Sequence, residues 1–458
     1  MAVESTNDSQ NAEESGEVTK SYRRYVLFVL VTVYTINFVD RQILAILQDS
    51  IKADLNLTDT QLGLLGGVAF AIFYSTLGIP LAAWADRWIR KTILALSLAV
   101  WSGMTALCGL AASFGWLLAL RIGVGVGEAG ASPPSHSLIS DYFPPHKRAT
   151  ALSIYALGIP IGSALGFIIG GWGDQLLDWR TTFMLVGIPG ILVAFVVQFT
   201  LKEPRRGMSD PNHVHRETDK APPIKVVFAT LKTRTAFWWL AFATAFHSLV
   251  GYGLGGWNGS FLRRFPHDLD TGVAGTWLAV LGIPAALGTF FGGWAADKIA
   301  EKTGEDRWYM WLPGLATIAM LPFQMIAYRS DSTYLTLAMM AFATFLASMY
   351  LGPAFGITQR LVSVRMRAVA AAILLFVLNI IGMGIGPWLV GVLSSSLSGE
   401  GGFSFITDMV ITTSGSAFDT SESLRWSLFS VAMFNIVATT CYIFAAKYVR
   451  RDLEAARV

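Results

Sequence analysis

Charge is what this sequence has least of. Only 14% of its 458 residues are Asp, Glu, Lys or Arg, while 53% are hydrophobic. A water-soluble domain carries about 25% charged residues, so that class is excluded. Cysteine is nearly absent. Cys108 and Cys441 fall in separate apolar stretches, near opposite membrane faces. A bridge needs Cα atoms within about 7 Å, so a disulfide is excluded. The net charge of +3 is small and its basic residues lie in short loops, which excludes nucleic acid as a partner. No metal-ligand cluster and no nucleophile–base set stands out, so neither a metal, a cofactor nor an enzyme activity is expected. The start also lacks the basic residues of a signal peptide. Residues 1–20 hold Glu4, Asp8, Glu13, Glu14 and Glu17 and read as a disordered cytoplasmic tail.

Apolar runs are plentiful. A bilayer core about 30 Å thick needs about 20 apolar residues per helix. Twelve candidates fit, at 24–47, 61–85, 91–113, 115–139, 149–172, 181–201, 236–262, 272–296, 308–328, 333–357, 368–395 and 425–447. The stretch 202–235 is polar and basic, with Pro204, Pro211, Pro222 and Pro223. It divides the chain into a first bundle over 21–201 and a second over 236–458. Cytoplasmic loops carry an excess of Lys and Arg. With both termini in the cytoplasm, twenty-six basic residues fall inside, and six fall outside: Lys52, Arg180, Arg263, Arg264, Arg329 and Arg425. Arg41 and Arg121 lie within spans.

The two bundles repeat each other. Ala85, Asp86, Arg87, Arg90 and Lys91 follow span 2, and Ala296, Asp297 and Lys298 follow span 8. Arg148 and Ala149 precede span 5, and Arg367 and Ala368 precede span 11. Trp179, Arg180 and Phe183 open span 6, and Arg425, Trp426 and Phe429 open span 12. A parallel repeat of six spans resembles the major facilitator fold, an all-α membrane fold of two pseudo-symmetric six-helix bundles with substrate bound between them. In it, the acid-base loops at Asp86, Arg87, Arg90, Asp297 and Lys298 are expected to act as gates on the cytoplasmic side.

Span 5 holds Gly158, Gly162, Gly166 and Gly170 on one helical face, a stripe suited to close helix contact. Its likeness to an antiporter glycine pattern is the alternative reading. Gly123, Gly125 and Gly127 lie inside an apolar span, without the preceding strand a nucleotide-binding loop needs.

The costly feature is buried charge, at about 3 kcal/mol per group at the bilayer centre. Span 1 contains Asn37, Asp40 and Arg41; span 4 contains Arg121 and Glu128. Arg121 and Glu128 are nearly two turns apart and share a face. Arg41 with Glu128 and Asp40 with Arg121 are the two pairings this spacing allows. A static lock between spans 1 and 4 is the structural alternative. The second half has no comparable charge. Tyr252 and Trp257 on glycine-rich span 7 read first as helix packing; a cavity wall, with Asn258, is the competing reading. His247 and His136 read as hydrogen-bonded packing residues.

Together, Asn37, Asp40 and Arg41, then Asp86, Arg87, Arg90 and Lys91, then Arg121, Gly125, Gly127 and Glu128 resemble the spinster family of major facilitator transporters. Trp257, Phe261 and Arg263 add to the likeness. The resemblance implies secondary active transport of lysophospholipids or sphingosine phosphate, often linked to protons, with Asp40 and Glu128 as the buried acids and Arg41 and Arg121 as the buried bases. Short loops suggest a bacterial homologue: a monomer in the inner membrane, in contact with bilayer lipid and an amphipathic lysolipid-like substrate. A multidrug or organic-anion exporter is the second reading, and a non-transporting receptor or scaffold the third.

Overall fold

The computed structural model describes residues 19–85, 87–209, 223–363 and 366–457. Among them there is helix and no strand. Eleven helical stretches are long and apolar enough to cross a membrane. Six form the first half: Lys20–Leu55, Asp59–Ala85, Arg90–Cys108, Phe114–Tyr142, Pro145–Leu176 and Trp179–Thr200. Five belong to the second: Thr271–Thr303, Trp308–Arg329, Thr333–Arg360, Val369–Ser398 and Thr420–Ala456. The twelfth span, number 7 in order, is Thr235–Arg263. It has the length, but its Gly, His, Asn, Tyr and Trp residues make it less apolar than the rest. The expectation of twelve spans stands, with span 7 distinguished by its polarity.

An even number of spans puts the described chain ends on one side, called here the terminal end; the other is the distal end. Local chemistry sets the helix starts. Thr58 and Gln61 form a reciprocal capping box before span 2, and Asp178 and Asp419 cap spans 6 and 12 with their carboxylates. Each side chain satisfies backbone N–H groups that the first helical turn leaves unpaired.

The halves pack by the same plan. Span 1 lies on span 5 and span 3 on span 6, while span 7 lies on span 11 and span 9 on span 12; span 7 also packs along span 12, more extensively than span 1 does on span 6. The glycine stripe of span 5 explains the first of these contacts. Gly158, Gly162, Gly166 and Gly170 face Tyr34, Phe38, Gln42 and Ile46 of span 1, also four residues apart. A Cβ at Gly166 would lie 2.9 Å from the Cβ of Gln42, too close for a side chain. Overpacking of this kind costs about 1–3 kcal/mol. Gly166→Ala is therefore expected to lower the thermal midpoint of the purified protein by a few degrees, while Ala at open Gly251, where a Cβ meets nothing within 4 Å, leaves it unmoved.

Three elements depart from the simple plan. The stretch 202–235 contains a helix, Ile224–Lys232, packed through Val227 and Leu231. Span 11 widens into a π-helix at Asn379–Ile385. Pro387 follows and has no N–H to return to Met383, so the α register lapses there. A surface helix, Ser404–Ser414, lies between spans 11 and 12 at the distal end. Residues 1–18 of the expected tail and Asp86 of the first acid-base loop lie outside the described residues.

Candidate substrate cavity and charge network

The halves meet mainly through their distal segments. Span 5 packs on Thr271–Val280 of span 8, and Asp59–Gly66 of span 2 on Gly386–Ser398 of span 11. Below this seal lies a cavity of about 530 Å³ between the halves. The first half contributes Phe38, Arg41, Gln42, Phe70 and Arg121 to its wall. The second contributes Ser248, Tyr252, Asn258, Tyr328 and Tyr350, among others, and, among the described residues, no Asp, Glu, Lys or Arg.

The four buried charges are sorted by depth. Arg41 and Arg121 face the cavity, while Asp40 and Glu128 stand behind them, off its wall. Arg41 Nε bonds Glu128 Oε2 at 2.7 Å, with the Arg41 side chain 15% exposed and the Glu128 side chain sealed. Rings crowd the Arg41 guanidinium: its carbon is 4.5 Å from the centroid of Tyr74, 5.1 Å from Phe38 and 5.2 Å from Phe70. Such contacts favour a desolvated cation. Asn37 is buried beside Glu128.

The second expected pairing does not form. Asp40 is fully buried among Thr105, Trp101 and Arg121, yet neither of its carboxylate oxygens has a direct hydrogen-bond partner among the described residues. Nε and Nη1 of Arg121 are likewise without one. Arg121 instead turns over Phe70, 5.6 Å from the ring centroid. Spacing fixed the face of span 4; the side-chain rotamers decided which acid each base meets.

The span 7 candidates divide. Tyr252 and Asn258 line the cavity, and Asn258 accepts a 3.0 Å hydrogen bond from the Tyr328 hydroxyl. Trp257 does not line it. Its indole is buried and donates to the carbonyl of Pro387 at 2.8 Å, tying span 7 to span 11 just past the π-helix. His247 bonds Thr317 at 2.9 Å and the Ala347 carbonyl at 2.8 Å, which fixes its ring between spans 7, 9 and 10.

Among the described residues, the acid-base loops make no contact that bridges the halves. Arg90 is buried and holds Asp141, Ser137 and Glu203 together with the Pro204 carbonyl, all within the first half and the chain leaving it. Arg87 lies exposed in its turn. Asp297 accepts from the Tyr309 hydroxyl at 2.6 Å, and Lys298 sits over the Trp294 ring at 4.8 Å. Among the described residues, the expected gating contacts are therefore local ones in this conformation.

The inter-half ion pairs are at the distal end instead, a feature the sequence reading missed. Arg264 of the second half reaches Asp49 at 2.8 Å and both oxygens of Asp59 at 2.9 Å. Burial works against the Arg264 charge, and the carboxylates of Asp49 and Asp59 outweigh it, so its pKa is raised. Asp59 also accepts from Lys52 at 2.9 Å and from Ser394 at 2.6 Å. Lys52 in turn reaches Glu400 at 3.0 Å. The only signal was the Arg263–Arg264 pair at the end of span 7, counted as loop charge.

A family model described as Major Facilitator Superfamily matches residues 30–387. An MFS-type efflux pump of Mycolicibacterium smegmatis is 32% identical, covering 94% of each chain. Protein spinster of Drosophila melanogaster is 25% identical over 93% of this chain and 77% of its own. The crystal structure of a bacterial homologue of the human lysosomal transporter Spinster, inward-facing and unoccupied, superposes with a TM-score of 0.86 at 34% identity, covering 95% of this chain and 99% of that one. These matches join the buried-charge pattern and the paired six-span bundles: the chain belongs to the Major Facilitator Superfamily and, within it, to the spinster family of membrane transporters.

Proposed function

We propose that this transporter carries an amphipathic, lysolipid-like substrate and couples its movement to protons, with Arg41 and Arg121 meeting the anionic head. The observation that carries this reading is the unequal cavity wall. Two guanidinium groups face in from one half, while the opposite wall is uncharged and largely apolar. A phosphate suits a guanidinium fork, and an acyl chain suits the other side. The basic-residue asymmetry supports cytoplasmic termini, and the short loops support a bacterial inner membrane. In that orientation the distal seal closes the outer side.

Asp40 is the coupling acid in this scheme. It is buried next to the cavity-facing charges, beside Thr105 and Trp101, and has no direct hydrogen-bond partner among the described residues, so its protonation changes the balance of the cluster without first breaking an ion pair. A differential of a few kcal/mol is enough to tip two nearly balanced conformations. The experiment is uptake of labelled lysolipid into proteoliposomes with and without a pH gradient. Gradient-stimulated uptake that is lost in Asp40→Asn supports the scheme. Uptake that ignores the gradient, or keeps its full response in Asp40→Asn, overturns the coupling role.

The mycobacterial relative, an MFS-type efflux pump, favours a second reading, export of a multidrug or organic-anion cargo through the same cavity. A competition assay between lysolipids and cationic dyes separates the two: lysolipids that neither bind nor compete sink the lipid reading.

A further inference from the structure

Between spans 11 and 12 the chain leaves the bundle at Ser398 and re-enters at Thr420, so everything between is confined to the distal membrane surface. That segment folds into Ser404–Ser414 and is fastened to span 11: Thr407 Oγ1 donates to the Ser396 carbonyl at 2.6 Å, and the Phe403 N–H donates to Ser396 Oγ at 2.8 Å. Val410 is buried against the bundle, while Phe405 is 68% and Met409 61% exposed. Four residues apart, these two share a face. Ser404, Asp408 and Thr412 lie to one side of it and are also exposed. Three faces thus meet protein, an apolar medium and water. This is the pattern of a helix lying in a membrane interface. The segment has no Lys or Arg, so apolar burial and not headgroup charge holds it there.

Glu400 connects this helix to the distal seal. It stands between Gly399 and Gly401, both with positive φ, and its carboxylate reaches Lys52 of the first half at 3.0 Å. Glycine freedom lets the chain turn sharply off span 11, and the turn carries Glu400 toward the other half.

We propose that Ser404–Ser414 inserts Phe405 and Met409 into the acyl boundary of the distal leaflet, and that this anchorage positions Glu400 for its contact with Lys52, so that the leaflet helps hold the seal closed. The occupant of the apolar face is bilayer lipid. Confinement supports it: the segment is tethered at both ends to spans, at Ser398 and Thr420, so the apolar phase open to its exposed face is the distal leaflet.

The test uses full-length protein in liposomes with Cys108 and Cys441 replaced by Ala and single nitroxides at Phe405→Cys, Met409→Cys or Asp408→Cys. Labels at 405 and 409 are expected to be accessible to oxygen and shielded from a water-soluble nickel chelate, with the reverse at 408. Equal chelate access at all three overturns the proposal. Protection from both reagents assigns the face to a second copy and overturns it too. A Phe405→Glu/Met409→Glu variant, carrying labels at Ala53→Cys and Tyr334→Cys on the two halves, is expected to lose about half of its short-distance population. An unchanged distribution overturns the link to Glu400.

Discussion

Arg264→Ala is expected to open the distal side of the transporter. Arg264 engages both Asp49 and Asp59 directly from the second half, and it also donates to the Thr420 carbonyl at 3.2 Å. Its loss leaves two acids of the first half facing the seam. Truncating one partner of a buried, hydrogen-bonded charge pair costs about 2–5 kcal/mol. Lys52 and Ser394 still hold Asp59, so the lower end applies. At about 2 kcal/mol the ratio of closed to open falls roughly thirtyfold. Nitroxides at Ala53→Cys and Tyr334→Cys, in a background without the native cysteines, read this as a new long-distance population. Arg264→Lys keeps a charge but cannot hold two carboxylates in one planar fork, so an intermediate shift is expected. A distribution identical to wild type in Arg264→Ala would show that apolar packing of spans 2 and 11 alone closes the distal end. Asp59→Asn in the same background completes a double-mutant cycle. Strong coupling between the two positions assigns the effect to the pair and not to general loosening.

How much of this was legible depends on what the bilayer penalises. Spans announced themselves because a crossing helix needs an apolar run. Asp40, Arg41, Arg121 and Glu128 announced themselves because charge inside such a run is costly. Span 7 was less plain: Tyr252 and Asn258 in an apolar stretch suit a cavity wall or helix packing, and they line the cavity only once the two halves are assembled. The distal ion pairs carried no such signal. Asp49, Lys52, Asp59 and Arg264 sit at span ends, where charge is cheap and common. Only the approach of two bundles distant in sequence makes them a seal. Trp257 was left between two readings, because an indole on a glycine-rich helix suits a cavity or a packed seam, and it packs. Its bond to Pro387 exists only once spans 7 and 11 are docked. Helix geometry also gave the shared face of Arg121 and Glu128 and allowed the Arg41–Glu128 pair that forms, but not that Asp40 and Arg121 would stay without a direct bond to each other.

Glu128→Gln is expected to separate binding from transport. Glu128 is the direct partner of Arg41, and the two acids and two bases of the cluster balance. Neutralising Glu128 leaves one net positive charge and releases Arg41 to the cavity, where Phe38, Phe70 and Tyr74 still hold its guanidinium in place. A hydrogen bond to a charged group contributes about 1.5–3 kcal/mol. A phosphate head that no longer competes for Arg41 therefore binds roughly tenfold tighter or more. Turnover moves the other way. If substrate release depends on Arg41 returning to Glu128, the variant holds its cargo, and the transport rate falls by about the same factor. The sign of the affinity change also discriminates between cargoes. A cationic compound binding near Glu128 loses attraction and gains repulsion, so its affinity falls. Arg41→Ala is the poorer probe, because it leaves a sealed carboxylate without its partner, at about 3–5 kcal/mol of stability. Equilibrium binding of a phosphate-bearing lysolipid and of a cationic dye to Glu128→Gln, measured beside uptake, thus tests the charge assignment and the substrate class together. Weaker lysolipid binding with stronger dye binding would reverse both.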